Sequence, residues 1–289
     1  MSFTIAMTKI GDVALSTAST PATASSEPTL LMLHGVTRRW QTFLPVTAAL
    51  AQRCRLMLVD LRGHGESDRA TGGYRVVNYV DDICELIHAC IPGPLMIYGH
   101  SLGAMTAAGV AARLGEHVSA LVMEDPPLQT MGTRIGETSL LSYFTQVGKF
   151  AGSRLPVDVM ARELADTTYQ DPATGTSLRI GDTRDAAQLR FAASSLKRLD
   201  PAVLEPILTS TWLEGFSVDD VFQALKCPAL ILHADEAAGG MLTRADAEYV
   251  LALNDRVLRV AFPGAPHGIH WTATQPLLNV VLPFLESVR

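Results

Sequence analysis

Gly99-His100-Ser101-Leu102-Gly103, directly after the apolar run Leu95-Met96-Ile97-Tyr98, decides how the rest of this chain is read. A serine between two glycines, with a strand-like segment before it and a helix-like one after it, is the pattern of a nucleophile elbow. The spacing has a physical reason. The serine sits on a tight strand-to-helix turn that pushes its hydroxyl into a cleft, and flanking side chains would collide with neighbouring backbone, which favours glycine. A helix opening beneath the hydroxyl turns free N–H groups toward developing negative charge. Such a match also arises by chance in glycine-containing loops. Here Ala104-Met105-Thr106-Ala107-Ala108 and Val110-Ala111-Ala112-Arg113-Leu114 supply the small-residue helix that the motif requires.

Outward from the elbow, three continuous apolar runs read as strands buried on both faces of a parallel sheet: Thr29 to Leu33, Arg55 to Val59 and Pro94 to Tyr98. Helix-length segments, Trp40 to Arg53 and Val76 to Cys90, lie between them. This alternation predicts right-handed crossovers and a mostly parallel α/β sheet flanked by helices. Upstream, Phe3 to Ile10 and Val13 to Thr17 read as a strand pair joined at Gly11-Asp12, followed by a small-residue loop from Ser19 to Pro28. Downstream, Ser119 to Met123 gives another strand.

The rhythm then breaks. From Leu128 to Lys226 the chain shows helix-like segments at Ser139 to Phe150, Val157 to Tyr169 and Arg184 to Leu199, with no clear buried strand. It resumes with a strand at Ala229 to His233, a helix at Arg244 to Leu253, a strand at Val257 to Phe262 and a last helix near Pro276 to Val288. The expected organisation is a core of residues 1–127 and 227–289 with a helical cap, 128–226, over the carboxyl ends of the strands, where open α/β sheets bind ligands.

Composition bounds the function. With 289 residues, 48% hydrophobic and 18% charged, the chain can bury a large core. A net charge of −6 without a basic cluster gives no reason to expect a nucleic-acid partner. No stretch approaches the ~20 apolar residues of a membrane span, and Met1 to Met7 lacks the features of a secretory signal. Cys54, Cys84, Cys90 and Cys227 show no CxxC spacing and read as reduced thiols of a cytoplasmic protein. No HExxH-like spacing supports a metal site.

Taken together, the chain resembles the α/β-hydrolase fold family over essentially its whole length. The residues that carry the resemblance are His34-Gly35, the block Asp60-Leu61-Arg62-Gly63-His64-Gly65-Glu66-Ser67-Asp68, the Gly99–Gly103 elbow, and Pro263-Gly264-Ala265-Pro266-His267. The resemblance implies Ser101 as nucleophile, with His267 as the base that takes its proton. His270, three residues on, is the competitor. Backbone N–H groups of Val36 and Leu102 are the implied oxyanion donors. His34, His100 and His64 read as loop architecture.

The acid is open. At the common family position after the strand ending at His233, the matching residue is Ala237, which cannot serve; Asp235 and Glu236 are nearby but displaced. Some family members carry their acid one sheet strand after the nucleophile. Asp125, 24 residues after Ser101, resembles that arrangement and is preferred over Asp235, Glu124 and Glu236.

The resemblance implies acyl transfer to water on a carboxylic ester or lactone, with no cofactor and no metal. The expected partner is a small-molecule substrate, with no nucleic acid or membrane, for a monomer or homodimer. Trp40, Tyr143, Phe144, Trp212 and Trp271 are the candidate substrate-binding residues, with Tyr169 and Phe216 further lining candidates. Arg38 and Arg39 are available for an anionic group, and the long cap suggests an apolar ester or lactone. A carbon–carbon bond hydrolase or cofactor-free Ser/His enzyme, and a non-enzymatic ligand receptor, remain open on the same scaffold.

Overall fold

The computed structural model describes residues 2–21 and 28–288. Residues 22–27 of the expected Ser19–Pro28 loop, and Met1, lie outside the described residues. The first half runs β1 (Thr4–Ile10), β2 (Val13–Ser19), β3 (Thr29–Leu33), α1 (Leu44–Leu50), β4 (Arg55–Val59), α2 (Val76–Cys90), β5 (Leu95–His100), α3 (Leu102–Leu114) and β6 (Val118–Glu124). The inserted stretch follows with α4 (Ser139–Gly148), α5 (Val157–Asp166), the antiparallel pair β7 (Thr168–Gln170) and β8 (Ser177–Arg179), α6 (Ala186–Leu196), α7 (Glu205–Leu208) and α8 (Val218–Ala224). β9 (Ala229–Ala234), α9 (Arg244–Leu253), β10 (Val257–Phe262), α10 (Ile269–Thr272) and α11 (Thr274–Ser287) complete the chain.

Eight strands form one sheet in the order β1-β2-β4-β3-β5-β6-β9-β10. β1 and β2 pair antiparallel with each other, β2 pairs antiparallel with β4, and the remaining pairs are parallel. Strand periodicity explains why the central strands are apolar throughout, because successive side chains enter opposite layers. Leu31 and Leu33 of β3, Met57 and Val59 of β4, and Leu95 and Ile97 of β5 join one buried cluster. Their alternates Leu30, Met32, Leu56, Leu58, Met96 and Tyr98 join the other. The first cluster extends without a break into the inserted stretch through Phe144, Met160, Leu164, Leu189, Leu196 and Trp212. No helix among the described residues is long and apolar enough to cross a membrane. No disulfide joins the described cysteines, and the Cys54 thiol donates to Leu50 O.

Boundaries shift from the expected ones for local reasons. The expected Trp40–Arg53 helix begins as a 3₁₀ turn at Trp40–Phe43, and α1 then starts with Pro45 in its first turn. The expected Arg184–Leu199 helix begins two residues late, because Asp185 caps α6 in a reciprocal box with Gln188. The expected Val157–Tyr169 helix stops at Asp166, where the chain turns into β7.

Sterics at the elbow require both glycines. A Cβ on Gly99 would run into the carbonyl of Gly103, and one on Gly103 would strike the carbonyl of Leu33 in β3. The obstacles are backbone and cannot rotate away. Gly103→Ala is therefore expected to cost about 3–5 kcal/mol, read as a fall of roughly 10 °C in Tm. A variant that melts with the wild type would show that α3 does not need this close approach to β3.

Candidate active site

Ser101 lies between β5 and α3 at φ 55 and ψ −116, outside the regions that L-residues ordinarily populate. Its amide donates to Glu124 O at 3.0 Å, and its carbonyl receives the amides of Ala104 and Met105. The strain of the turn is thus held by the neighbouring strand and by the first turn of α3. A Cβ on Gly35 would stand 3.0 Å from the Ser101 Cβ, so the loop after β3 passes directly against the nucleophile candidate. Among the described residues, the amides of Val36 and Leu102 meet no backbone acceptor.

Asp125, the residue after β6, adopts φ 45, a bend that carries its carboxylate across the sheet edge. The carboxylate is fully buried and saturated. Oδ1 accepts from the amides of Ala234 (3.3 Å) and Leu242 (3.2 Å), and Oδ2 accepts from Met241 (2.7 Å). Oδ2 also receives His267 Nδ1–H at 2.6 Å. That last bond fixes the tautomer and leaves Nε2 as the basic nitrogen. His100 donates from Nε2 to the His267 carbonyl at 3.0 Å, with the two rings 4.5 Å apart. The residue before Ser101 therefore grips the loop that carries His267. Among the described residues no hydrogen bond runs from the Ser101 hydroxyl to His267, an arrangement that a bound substrate commonly tightens.

The rival acids and the rival histidine are occupied elsewhere. Asp235 accepts from Gly264 N (2.7 Å) and Ala237 N (2.9 Å), and these bonds hold its carboxyl below the usual range. Glu236 accepts from Arg244 N. Glu124 and His270 bind each other, with His270 Nδ1 at 2.8 and 2.9 Å from the two Glu124 oxygens. His34 and His64 donate to the carbonyls of Gly35 and Arg62, which supports their reading as loop architecture. Donor atoms of His100, Glu124 and His270 come within 4.8 Å of one another, close enough to suggest a cation. Each Glu124 oxygen already accepts from Tyr98 or His270, however, and His270 is bonded at both ring nitrogens, so two of the three groups are already engaged.

A cavity of about 510 Å³ opens above His267 and His100. Arg38, Pro266 and Trp271 come to its wall from the core, and Tyr143, Arg184 and Phe191 from the inserted stretch. Ser101 is buried, 2% exposed, and is not among the residues that line this cavity, whereas its neighbour His100 is. Of the expected substrate-binding residues, Tyr143 and Trp271 reach the cavity, as does Tyr169. Trp212 and Phe144 do not, because both are consumed by the apolar cluster that joins the inserted stretch to the sheet. Trp40 packs on Phe3, and Phe216 lies against the Gly109 position of α3. Arg39 donates to Ser194 Oγ at 3.0 Å and stacks over Phe191, which ties α6 to the core.

Arg184, which sequence reasoning missed, donates to the Tyr143 hydroxyl at 2.6 Å. Arg38 stands close enough to Arg184 to feel its charge, and burial together with that charge lowers Arg38 to about 10. Burial pushes the Tyr143 phenol up, but Arg184 and Arg38 together outweigh it and hold the phenol below its ordinary value. Among the described residues neither guanidinium meets a carboxylate.

Comparison with known proteins matches the sequence model of the alpha/beta hydrolase family to residues 30–280. The chain belongs to the alpha/beta hydrolase family. This alpha/beta hydrolase is 28% identical, over 272 residues, to the 2-(acetamidomethylene)succinate hydrolase of Mesorhizobium japonicum, across 91% of this chain and 89% of that protein. Its fold superimposes on a crystal structure of E-2-(acetamidomethylene)succinate hydrolase with a TM-score of 0.74, at 22% identity and covering 98% of this chain and 99% of that one. It superimposes equally, at 17% identity, on an N-formylmaleamic acid deformylase of Pseudomonas putida, covering 96% of this chain and 100% of that one.

Proposed function

We propose that this alpha/beta hydrolase cleaves a carboxylic acyl bond, in an ester, a lactone or an acylated amine, of a small substrate that carries a carboxylate. The observation that carries the reading is the His267–Asp125 hydrogen bond, set beside a strained Ser101 elbow. Ser101 Oγ attacks the carbonyl as His267 Nε2 takes its proton. The tetrahedral oxygen gains its charge between the amides of Leu102 and Val36. His267 returns the proton to the departing oxygen or nitrogen, and water, activated by the same nitrogen, resolves the acyl-enzyme. Residues 128–226 act in this reading as the cap that closes the substrate in.

Arg38 and Arg184 support the carboxylate. Two guanidinium groups facing one cavity repel each other and meet no acid, so an anion relieves both. An apolar ester suits this cavity poorly. The relatives fit the same description, being named for acylated amines attached to dicarboxylic acids. Arg184→Gln is expected to raise KM for a carboxylate-bearing ester about tenfold, and much less for the methyl ester of the same acid. The two KM values, measured side by side, check this. Equal increases for both substrates would remove Arg184 from carboxylate recognition.

A further inference from the structure

Beneath Asp125 and His267 lies a second acid–histidine pair that the reaction above does not use. Glu124 and Asp125 are consecutive at the end of β6 and address two histidines of one segment, His270 and His267. Glu124 is fully buried and His270 is 1% exposed. Both oxygens of Glu124 and both ring nitrogens of His270 have partners. Glu124 Oε1 accepts the His270 backbone amide (2.9 Å), Oε2 accepts Tyr98 O–H (2.5 Å), and both oxygens face His270 Nδ1–H. On the far side of the ring, Thr42 Oγ1 lies 2.9 Å from Nε2 and also receives Trp271 Nε1–H at 3.1 Å. Thr42 thus faces Nε2 as Glu124 faces Nδ1, and the Glu124 carboxylate carries its charge in a dry interior.

That charge stands one ring away from His267. His100 lies between them, its ring 5.0 Å from His270 and 4.5 Å from His267. Burial holds His100 well below the usual histidine range. Burial alone would push the Glu124 carboxyl up; His270, His100 and Tyr98 outweigh that and bring it to about 2. The other groups around His267 are Asp125, bonded to its ring, and Arg38 and Arg184 across the cavity. Phe43 and Trp271 complete the shell of His270.

We propose that Glu124 and His270 are positioning residues for His267: Glu124 holds the segment that carries it and lends buried negative charge to the imidazolium it becomes. The role rests on the hydrolase reading, and the test separates the two. The second-order rate of Ser101 modification by a fluorophosphonate, followed against pH in the full chain, reports the free base of His267 without needing the natural substrate. Removing a nearby negative charge favours neutral imidazole, so the acid limb moves to lower pH, while the plateau falls because the imidazolium is less supported. For Glu124→Gln we expect a plateau about tenfold lower and a limb about half a pH unit lower. His270→Phe, which strips the donor from Glu124, should move both in the same direction. His270→Asn, which keeps a donor near the Nδ1 position, should recover at least half of that loss.

Cooperatively melting Glu124→Gln and His270→Phe variants with wild-type profiles would overturn the proposal. So would a lowered plateau with an unmoved limb, the mark of a purely structural pair. Wild-type protein that resists the reagent at every pH removes the serine mechanism itself, and the positioning role with it.

Discussion

Ser101→Ala is expected to lower kcat by ~10⁴–10⁶-fold while the protein stays folded and still binds carboxylate ligands. In the proposed mechanism the loss is large because His267 and the amides of Leu102 and Val36 act on an oxygen that the variant lacks; what remains is binding and preorganised dipoles. Folding is spared because the Ser101 bonds to Glu124 O, Ala104 N and Met105 N are made by its backbone. Alanine takes the same strained turn with the same Cβ. Fluorophosphonate labelling, present in wild type and absent in the variant, reads the first half, and titration of the variant with a small dicarboxylate reads the second. A folded wild type that is never labelled would remove the acyl-enzyme.

Asp125→Asn should be nearly as damaging, about 10⁴-fold in kcat, and the geometry says why no rotamer rescues it. With the amide NH₂ turned to His267, Nδ1 must give up its proton and Nε2 must carry it, so the base becomes an acid. With the amide oxygen turned to His267, the NH₂ faces the N–H groups of Ala234 and Leu242, a donor-against-donor contact in a dry site. A lowered melting temperature should accompany either arrangement, because in the first the NH₂ faces the Met241 amide. Asp235→Asn is the contrast, because its oxygen can still accept from a backbone amide at an exposed turn; a change below about threefold is expected. If Asp235→Asn proves the crippling change, the triad closes through β9 instead.

Much of the fold was legible because burial on two faces leaves continuous apolar runs that only a parallel sheet needs. The elbow was legible because its glycines answer to backbone contacts fixed by the turn itself. Spacing from Ser101 favoured Asp125 over Glu124, but it carried no sign of the φ 45 bend at Asp125 that accompanies its contact with His267, nor of the His270 that Glu124 meets instead. His267 and His270 looked like alternatives for one post, yet the structure gives each its own acid. The cavity was least legible. Arg184 and Tyr143 are 41 residues apart and meet only through the packing of the inserted stretch, whereas Trp212 and Phe144 looked like ligand contacts and are structural. Large aromatics at helical spacing satisfy either demand, and sequence carries no sign of which.

The unbroken apolar cluster running from the sheet into residues 128–226 has a consequence for inheritance and for engineering. A lid hinged on a polar seam can be exchanged between relatives as a cassette, and it can swing aside at little cost. Here Trp212, Phe144, Leu189 and Met160 share one interior with Leu31, Ile97 and Leu102. Replacing residues 128–226 by another protein's segment is expected to open a hole in that interior. New specificity is therefore to be sought in single side chains at the cavity rim, and access in the opening of small gaps between them.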